Sequence, residues 1–186
     1  MKFLHITWDD FQRLCEVVAN KIEKVNYQPE IVIAISRGGF PPARVLCDFL
    51  EIKMLASIGI EYYKTVKKTK KRPEITYPSN TDVRGKKILI VDDIADTGHS
   101  IVVARDQVIK GEPSRVKIVT LHCKPWSVVK PEFYAEVTDA WVVYPWEVME
   151  TIKSLITKLK SEGKNVQVKE QLINFGFKEK TLKDLI

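Results

Sequence analysis

A chain of 186 residues, 45% hydrophobic and 29% charged, is long enough to bury a sizeable core and reads as one domain with a short appendage. Its net charge of +6 suits a polyanionic ligand and nucleic acid equally, so charge alone selects neither. Cys15, Cys47 and Cys123 lack metal-ligand spacing, MKFLHITWDDF has no apolar leader, and no run reaches the ~18 apolar residues of a membrane span, so a disulfide scaffold, a zinc site and a membrane partner are excluded and a cytoplasmic protein is expected.

Thr7 and Asp10 precede apolar positions at Phe11, Leu14, Cys15, Val18, Ile22 and Val25, the pattern of a capped amphipathic helix. Residues 31–35 form a short branched run, a buried strand, which empties into Ser36-Arg37-Gly38-Gly39-Phe40-Pro41-Pro42. Glycine there lets backbone approach a ligand, and Arg37 adds a forked donor suited to phosphate; a plain Gly-Pro turn with a solvated arginine fits the local sequence as well. A helix over 43–50 and a strand over 52–60 follow. The texture then changes to a basic run with Lys67, Lys68, Lys70, Lys71 and Arg72, then Pro73, Pro78 and a polar cluster, which cannot bury itself and reads as a mobile insertion.

Lys87 opens the stretch around which the chain is organised, KILIVDDIADTGHSIVV. Ile88, Leu89, Ile90 and Val91 have the continuous apolar pattern of a strand buried on both faces, and the run ends in Asp92 and Asp93. Asp96-Thr97-Gly98-His99-Ser100 reads as a tight turn into a helix, aiming backbone N–H groups and short hydroxyls at one point, as a phosphate requires. The helix stops at Gly111 and Pro113, a strand over 116–121 delivers Cys123-Lys124-Pro125, and strand–helix–strand at this spacing predicts a parallel sheet. A further strand is expected over 136–143, with Pro145 placed to open a helix through Val148, Ile152, Leu155 and Leu159. The tail shows two short helical patterns broken at Gly176.

Residues 88–100 resemble the signature of the type I phosphoribosyltransferases: four apolar residues, two acids, an apolar pair, Asp-Thr-Gly, any residue, then Thr or Ser. Ala95 departs only as a small member of the apolar pair. Within that family the chain is most similar to the xanthine-guanine (6-oxopurine) enzymes, on Ser36-Arg37-Gly38-Gly39, on Cys123-Lys124-Pro125 and on the segment from Asp139 to Trp146. The implied fold is α/β: a central, mostly parallel sheet flanked by helices over residues 1–150, with a flexible hood loop at 62–82, and a short C-terminal helical extension at 151–186. Where related enzymes often place Ser-Tyr in the hood, this chain has Tyr62-Tyr63.

The resemblance implies transfer of a phosphoribosyl group from phosphoribosyl pyrophosphate (PRPP) to a 6-oxopurine in purine salvage, giving pyrophosphate and a nucleotide. By the same resemblance Asp96 is the general acid or base near purine N7, and Asp92 and Asp93 hold the ribose. Ala95, Asp96, Thr97, Gly98, His99 and Ser100 hold the 5′-phosphate, and Ser36, Arg37, Gly38 and Gly39 hold pyrophosphate. Lys124, Trp141, Val142 and Glu147 bind the base, lysine reading the 6-oxo group and the tryptophan stacking. Magnesium, which favours oxygen ligands and substrate phosphates, is expected to reach Asp92 and Asp93 with the substrate. The partners expected are PRPP, a purine base and a second copy of the chain in a homodimer. A PRPP-sensing regulator that binds nucleic acid is the rival, but residues 150–186 carry eight lysines against five acids, too weakly basic for a DNA-binding domain. An adenine or orotate enzyme conflicts with Lys124 and Trp141.

Overall fold

The computed structural model describes residues 2–63, 72–163 and 167–182. Among these, in chain order, lie β1 (Phe3–His5), α1 (Trp8–Lys24), β2 (Ile31–Ser36), α2 (Phe40–Phe49), β3 (Met54–Tyr63), β4 (Arg72–Tyr77) and β5 (Lys87–Ala95). They continue with α3 (His99–Ile109), β6 (Arg115–Cys123), β7 (Phe133–Val137), β8 (Trp141–Val143), α4 (Val148–Ser161), α5 (Val168–Asn174) and α6 (Glu179–Leu182). The chain divides into two units, Gln12–Thr138 and a smaller one that joins Met1–Phe11 to Asp139–Ile186.

The larger unit is built on a sheet of order β4-β3-β2-β5-β6-β7, parallel throughout except for β4 against β3. A mostly parallel sheet with helices packed on it is the architecture the sequence implied. β2 and β5 are central and nearly continuously buried, which explains their unbroken branched runs. Ile33, Ile58, Ile90 and Ile118 on one sheet face pack with Ile101, Ala104 and Val108 of α3. Because β2, β5 and β6 are parallel and in register, Ser36, Asp92 and Lys124 all emerge at the same edge, where ligands of such sheets bind.

Several boundaries differ from expectation. The strand expected over 52–60 extends to Tyr63, and Arg72–Tyr77 pairs with it antiparallel, Glu61 opposite Glu74. Alternating residues with strand propensity, Tyr62, Ile75 and Tyr77, override the charged texture that read as an irregular insertion. Residues 64–71, with Lys67, Lys68, Lys70 and Lys71, lie outside the described residues. The single strand expected over 136–143 is two, β7 pairing with β6 and β8 with β1. The helix expected from Pro145 starts instead at Val148, after Glu147, whose carboxylate accepts from Tyr144 N–H at 3.3 Å.

In the smaller unit β1 and β8 pair parallel, and Val143, Ile152, Leu155, Leu159, Leu172 and Phe177 form a core. Thr7 and Asp10 cap α1 reciprocally: Thr7 N–H donates to Asp10 Oδ2 at 3.1 Å while Asp10 N–H donates to Thr7 Oγ1 at 3.1 Å. The break expected at Gly176 ends α5 with a left-handed residue (φ 93°). Phe177 N–H bonds Leu172 O and Gly176 N–H bonds Ile173 O, a Schellman closure.

His122 on β6 is fully buried. Burial pushes its imidazole down to about 4, against the opposing pull of Glu136, whose Oε2 lies 3.9 Å from Nε2 and whose Oε1 is 3.2 Å from Arg13. A folded pKa below the unfolded value means that the unfolded chain binds the extra proton, so stability from this site is lost as pH falls from about 6.5 to about 4. Urea unfolding at pH 7 and pH 4.5 is expected to show less of this loss in His122→Gln than in the native protein; equal losses would contradict it.

Candidate active site

β2 delivers Ser36, and the turn over residues 37–39 leads into α2, with Gly39 N–H bonded to Ile35 O at 2.8 Å. A side chain at Gly38 would collide with the carboxylate of Asp93, and one at Gly39 with Val91 O and Ile35 O. The two glycines therefore let this turn lie directly against the end of β5. Arg37 is exposed beside them. Tyr77 of β4 reaches the same turn, its hydroxyl donating to Ser36 Oγ at 2.5 Å.

At the end of β5 the paired carboxylates sit in unlike places. Asp93 is buried and Asp92 half-buried, with Asp93 N–H donating to Asp92 Oδ1 at 3.0 Å. Burial, then the Asp93 charge beside it, holds the Asp92 carboxyl well above the usual carboxylate range. Two unit charges 4 Å apart repel by about 4 kcal/mol at a surface-like dielectric, so hydroxyl donors or a cation here would relieve stored repulsion.

Ala95 is buried, Asp96 and Thr97 are exposed, and Gly98 turns the chain with φ 80° into α3. The side-chain space at Gly98 is filled by Ser127 Oγ and Val129 N. The N-cap residue Gly98 gives α3 no side-chain cap, and Thr97 Oγ1 accepts from His99 N–H at a long 3.5 Å; the first N–H groups of the helix with the Thr97 and Ser100 hydroxyls make an anion cradle. The cradle, the acid pair and Tyr62 line a cleft of about 240 Å³. Tyr62 Oη lies 3.3 Å from Thr97 Oγ1 and accepts from Ser100 Oγ at 3.1 Å. Tyr62 thus meets the cradle.

The turn after β6 is tied to this loop. Lys124 N–H donates to Ala95 O at 2.9 Å and Val128 N–H to Thr97 O at 3.1 Å. Lys124 is buried, its ammonium 5.4 Å from the centre of the Trp126 ring. The indole N–H of Trp126 donates to Asp96 Oδ1 at 3.3 Å. The larger unit thus brings together Ser36, Arg37, Gly38 and Gly39, the acid pair, residues 95–100 and Lys124. In the smaller unit Trp141 is exposed at the start of β8, Val142 is buried so that only its main chain can serve a ligand, and Glu147 precedes α4. Tyr77 and Trp126 were not singled out as contacts from sequence, since a lone aromatic carries no signal of the partner its polar end will find; the pair Tyr62-Tyr63 was noted in place of Ser-Tyr, with no side chain of the two assigned to the site.

The sequence model of the "Phosphoribosyl transferase domain" family matches residues 8–151. The chain is 29% identical to a xanthine-guanine phosphoribosyltransferase of Nitratidesulfovibrio vulgaris, over 78% of this chain and 85% of that one. The crystal structure of a purine phosphoribosyltransferase from Pyrococcus horikoshii is similar with a TM-score of 0.71 at 35% identity, covering 78% of this chain and 94% of that one. A Neisseria gonorrhoeae protein solved with bound ppGpp superposes with a TM-score of 0.72 at 28% identity, covering 78% and 89%.

Proposed function

Because the chain belongs to the phosphoribosyl transferase domain family, we propose that it is a purine phosphoribosyltransferase acting on 6-oxopurines. It moves the phosphoribosyl group of PRPP onto a purine nitrogen: the bond from the sugar's anomeric carbon to pyrophosphate breaks, a bond to nitrogen forms, and a nucleoside 5′-monophosphate leaves with pyrophosphate. The observation that carries this reading is the juxtaposition, at one sheet edge, of an acid pair and a helix start lined by hydroxyls. A phosphorylated sugar needs both, its hydroxyls donating to carboxylates while its phosphate takes the amides. The names of relatives, xanthine-guanine and purine phosphoribosyltransferases, support the choice of base.

Asp92 and Asp93 hold the ribose hydroxyls, and residues 95–100 take the 5′-phosphate. Arg37 and the amides around Gly38 receive pyrophosphate as its charge develops, stabilisation of the kind that speeds such departures most. Asp96 exchanges the proton at purine N7. Lys124 donates to the 6-oxo group, an acceptor that a 6-amino group does not offer. The stacking role of Trp141 and the 2-position role of Glu147 rest on the resemblance of their segment. Two adjacent carboxylates lining the cleft fit a magnesium ion, which favours oxygen ligands. Asp92 and Asp93 would hold it, and it would supply neutralisation of pyrophosphate charge.

Pyrophosphate release from PRPP is measured with guanine, xanthine, hypoxanthine, adenine and orotate. At least one 6-oxopurine is expected to exceed adenine and orotate by about a hundredfold in kcat/KM. No release with any base, or a preference for adenine, overturns the reading.

A further inference from the structure

Trp126 is more than half exposed, yet both of its recognition groups are engaged: the indole N–H donates to Asp96 Oδ1 at 3.3 Å and the ring carries the Lys124 ammonium at 5.4 Å. We propose that Trp126 is the positioning residue of this site, one rigid ring that fixes the carboxylate exchanging the purine proton and the ammonium reading the 6-oxo group relative to each other. This rests on the transferase reading above.

Three features carry it. First, Asp96 lies on an exposed turn after the strand, where a carboxylate rotates freely unless something holds it. A single bond to one oxygen fixes the plane and leaves the carboxylate capacity to accept from substrate. Second, the turn bearing Trp126 cannot shift against the turn bearing Asp96. Lys124 N–H on Ala95 O, Val128 N–H on Thr97 O, and Ser127 against Gly98 lock the two, and Ser127 N–H closes the turn on Lys124 O at 3.1 Å. Third, lysine on a flexible stem is a poorly aimed donor, and an aromatic face beneath its ammonium restricts where it points while favouring its charge. Trp126 is 55% exposed, and these two contacts are the polar functions its removal would delete.

The two contacts are separable. Trp126→Phe keeps a face under Lys124 and deletes the N–H, Trp126→His restores a ring N–H, and Trp126→Leu deletes both functions. With hypoxanthine and saturating PRPP, the Phe variant is expected to lose about tenfold in kcat with KM for the base within about twofold of native. The His variant recovers part of that kcat, and the Leu variant adds about a fivefold rise in KM. Thermal midpoints and PRPP affinity stay at native values in the Phe and His variants, which a packing role would not allow. A Phe variant with native kcat overturns the proposal, as does a loss of PRPP binding parallel to the loss of kcat. Should the Leu variant fail to fold, the Phe and His pair decides. Native protein that turns over alongside an unaffected Phe variant removes only the role of Trp126, whereas native protein inert with every 6-oxopurine removes the transferase reading and this proposal together.

Discussion

Asp96→Asn is expected to lower kcat with a 6-oxopurine by about 10²- to 10⁴-fold while PRPP affinity stays within about threefold. The substitution is nearly isosteric, and the amide oxygen can still accept the indole N–H of Trp126, so the geometry of the turn survives. What disappears is the ability to take a proton from, or return one to, the purine nitrogen. Asp96 stands apart from the acid pair: it is exposed on the turn beyond β5, whereas Asp92 and Asp93 lie within the strand, half-buried and buried. Single-turnover pyrophosphate release, with PRPP binding followed by calorimetry, separates chemistry from affinity. Native kcat in the Asn variant would refute the role of Asp96.

Asp92→Asn is expected to do two opposite things: weaken PRPP by about 10- to 100-fold and stabilise the free protein by about 1 kcal/mol. Removing the charge deletes a strong acceptor for a ribose hydroxyl, and it also deletes the repulsion that, after burial, holds this carboxyl high. A carboxyl whose folded pKa lies above its unfolded value is protonated more readily in the folded chain. The native protein is therefore most favoured by this pair below the unfolded carboxylate range of about 3.9, and loses that advantage as pH rises through the folded pKa. The Asn variant escapes the loss, so its stability gain should grow with pH across that window. His122 works in the opposite direction, and the two are separated by comparing Asp92→Asn with His122→Gln in urea at several pH values. An Asn variant less stable than native at pH 7 would show that the pair is not held against repulsion.

The central strand and its turn were legible because each requirement is written in residue type: a branched run long enough to cross a buried sheet, carboxylates where it ends, a glycine where φ turns positive. The parallel order followed from strand, helix and strand at short spacing. What was not legible depends on pairing at a distance. Gly38 is required by the Asp93 carboxylate and Gly39 by backbone oxygens of β5 and β2, contacts that exist only once those strands lie side by side. β1 has three residues, too few for any periodicity, so its pairing with β8 could not be foreseen. Trp126 reads as an isolated aromatic until its indole N–H meets Asp96, and the Tyr62-Tyr63 pair names no partner until the Tyr62 hydroxyl meets Thr97 and Ser100.

A crystal of the protein soaked with ribose 5-phosphate tests the central claim most directly. Density for the phosphate is expected against the first N–H groups of α3 and the hydroxyls of Thr97 and Ser100, with the sugar hydroxyls toward Asp92 and Asp93 and the Tyr62 hydroxyl moved off the cradle. A bound sugar phosphate elsewhere, with this cleft empty and Tyr62 still on Ser100, would contradict it.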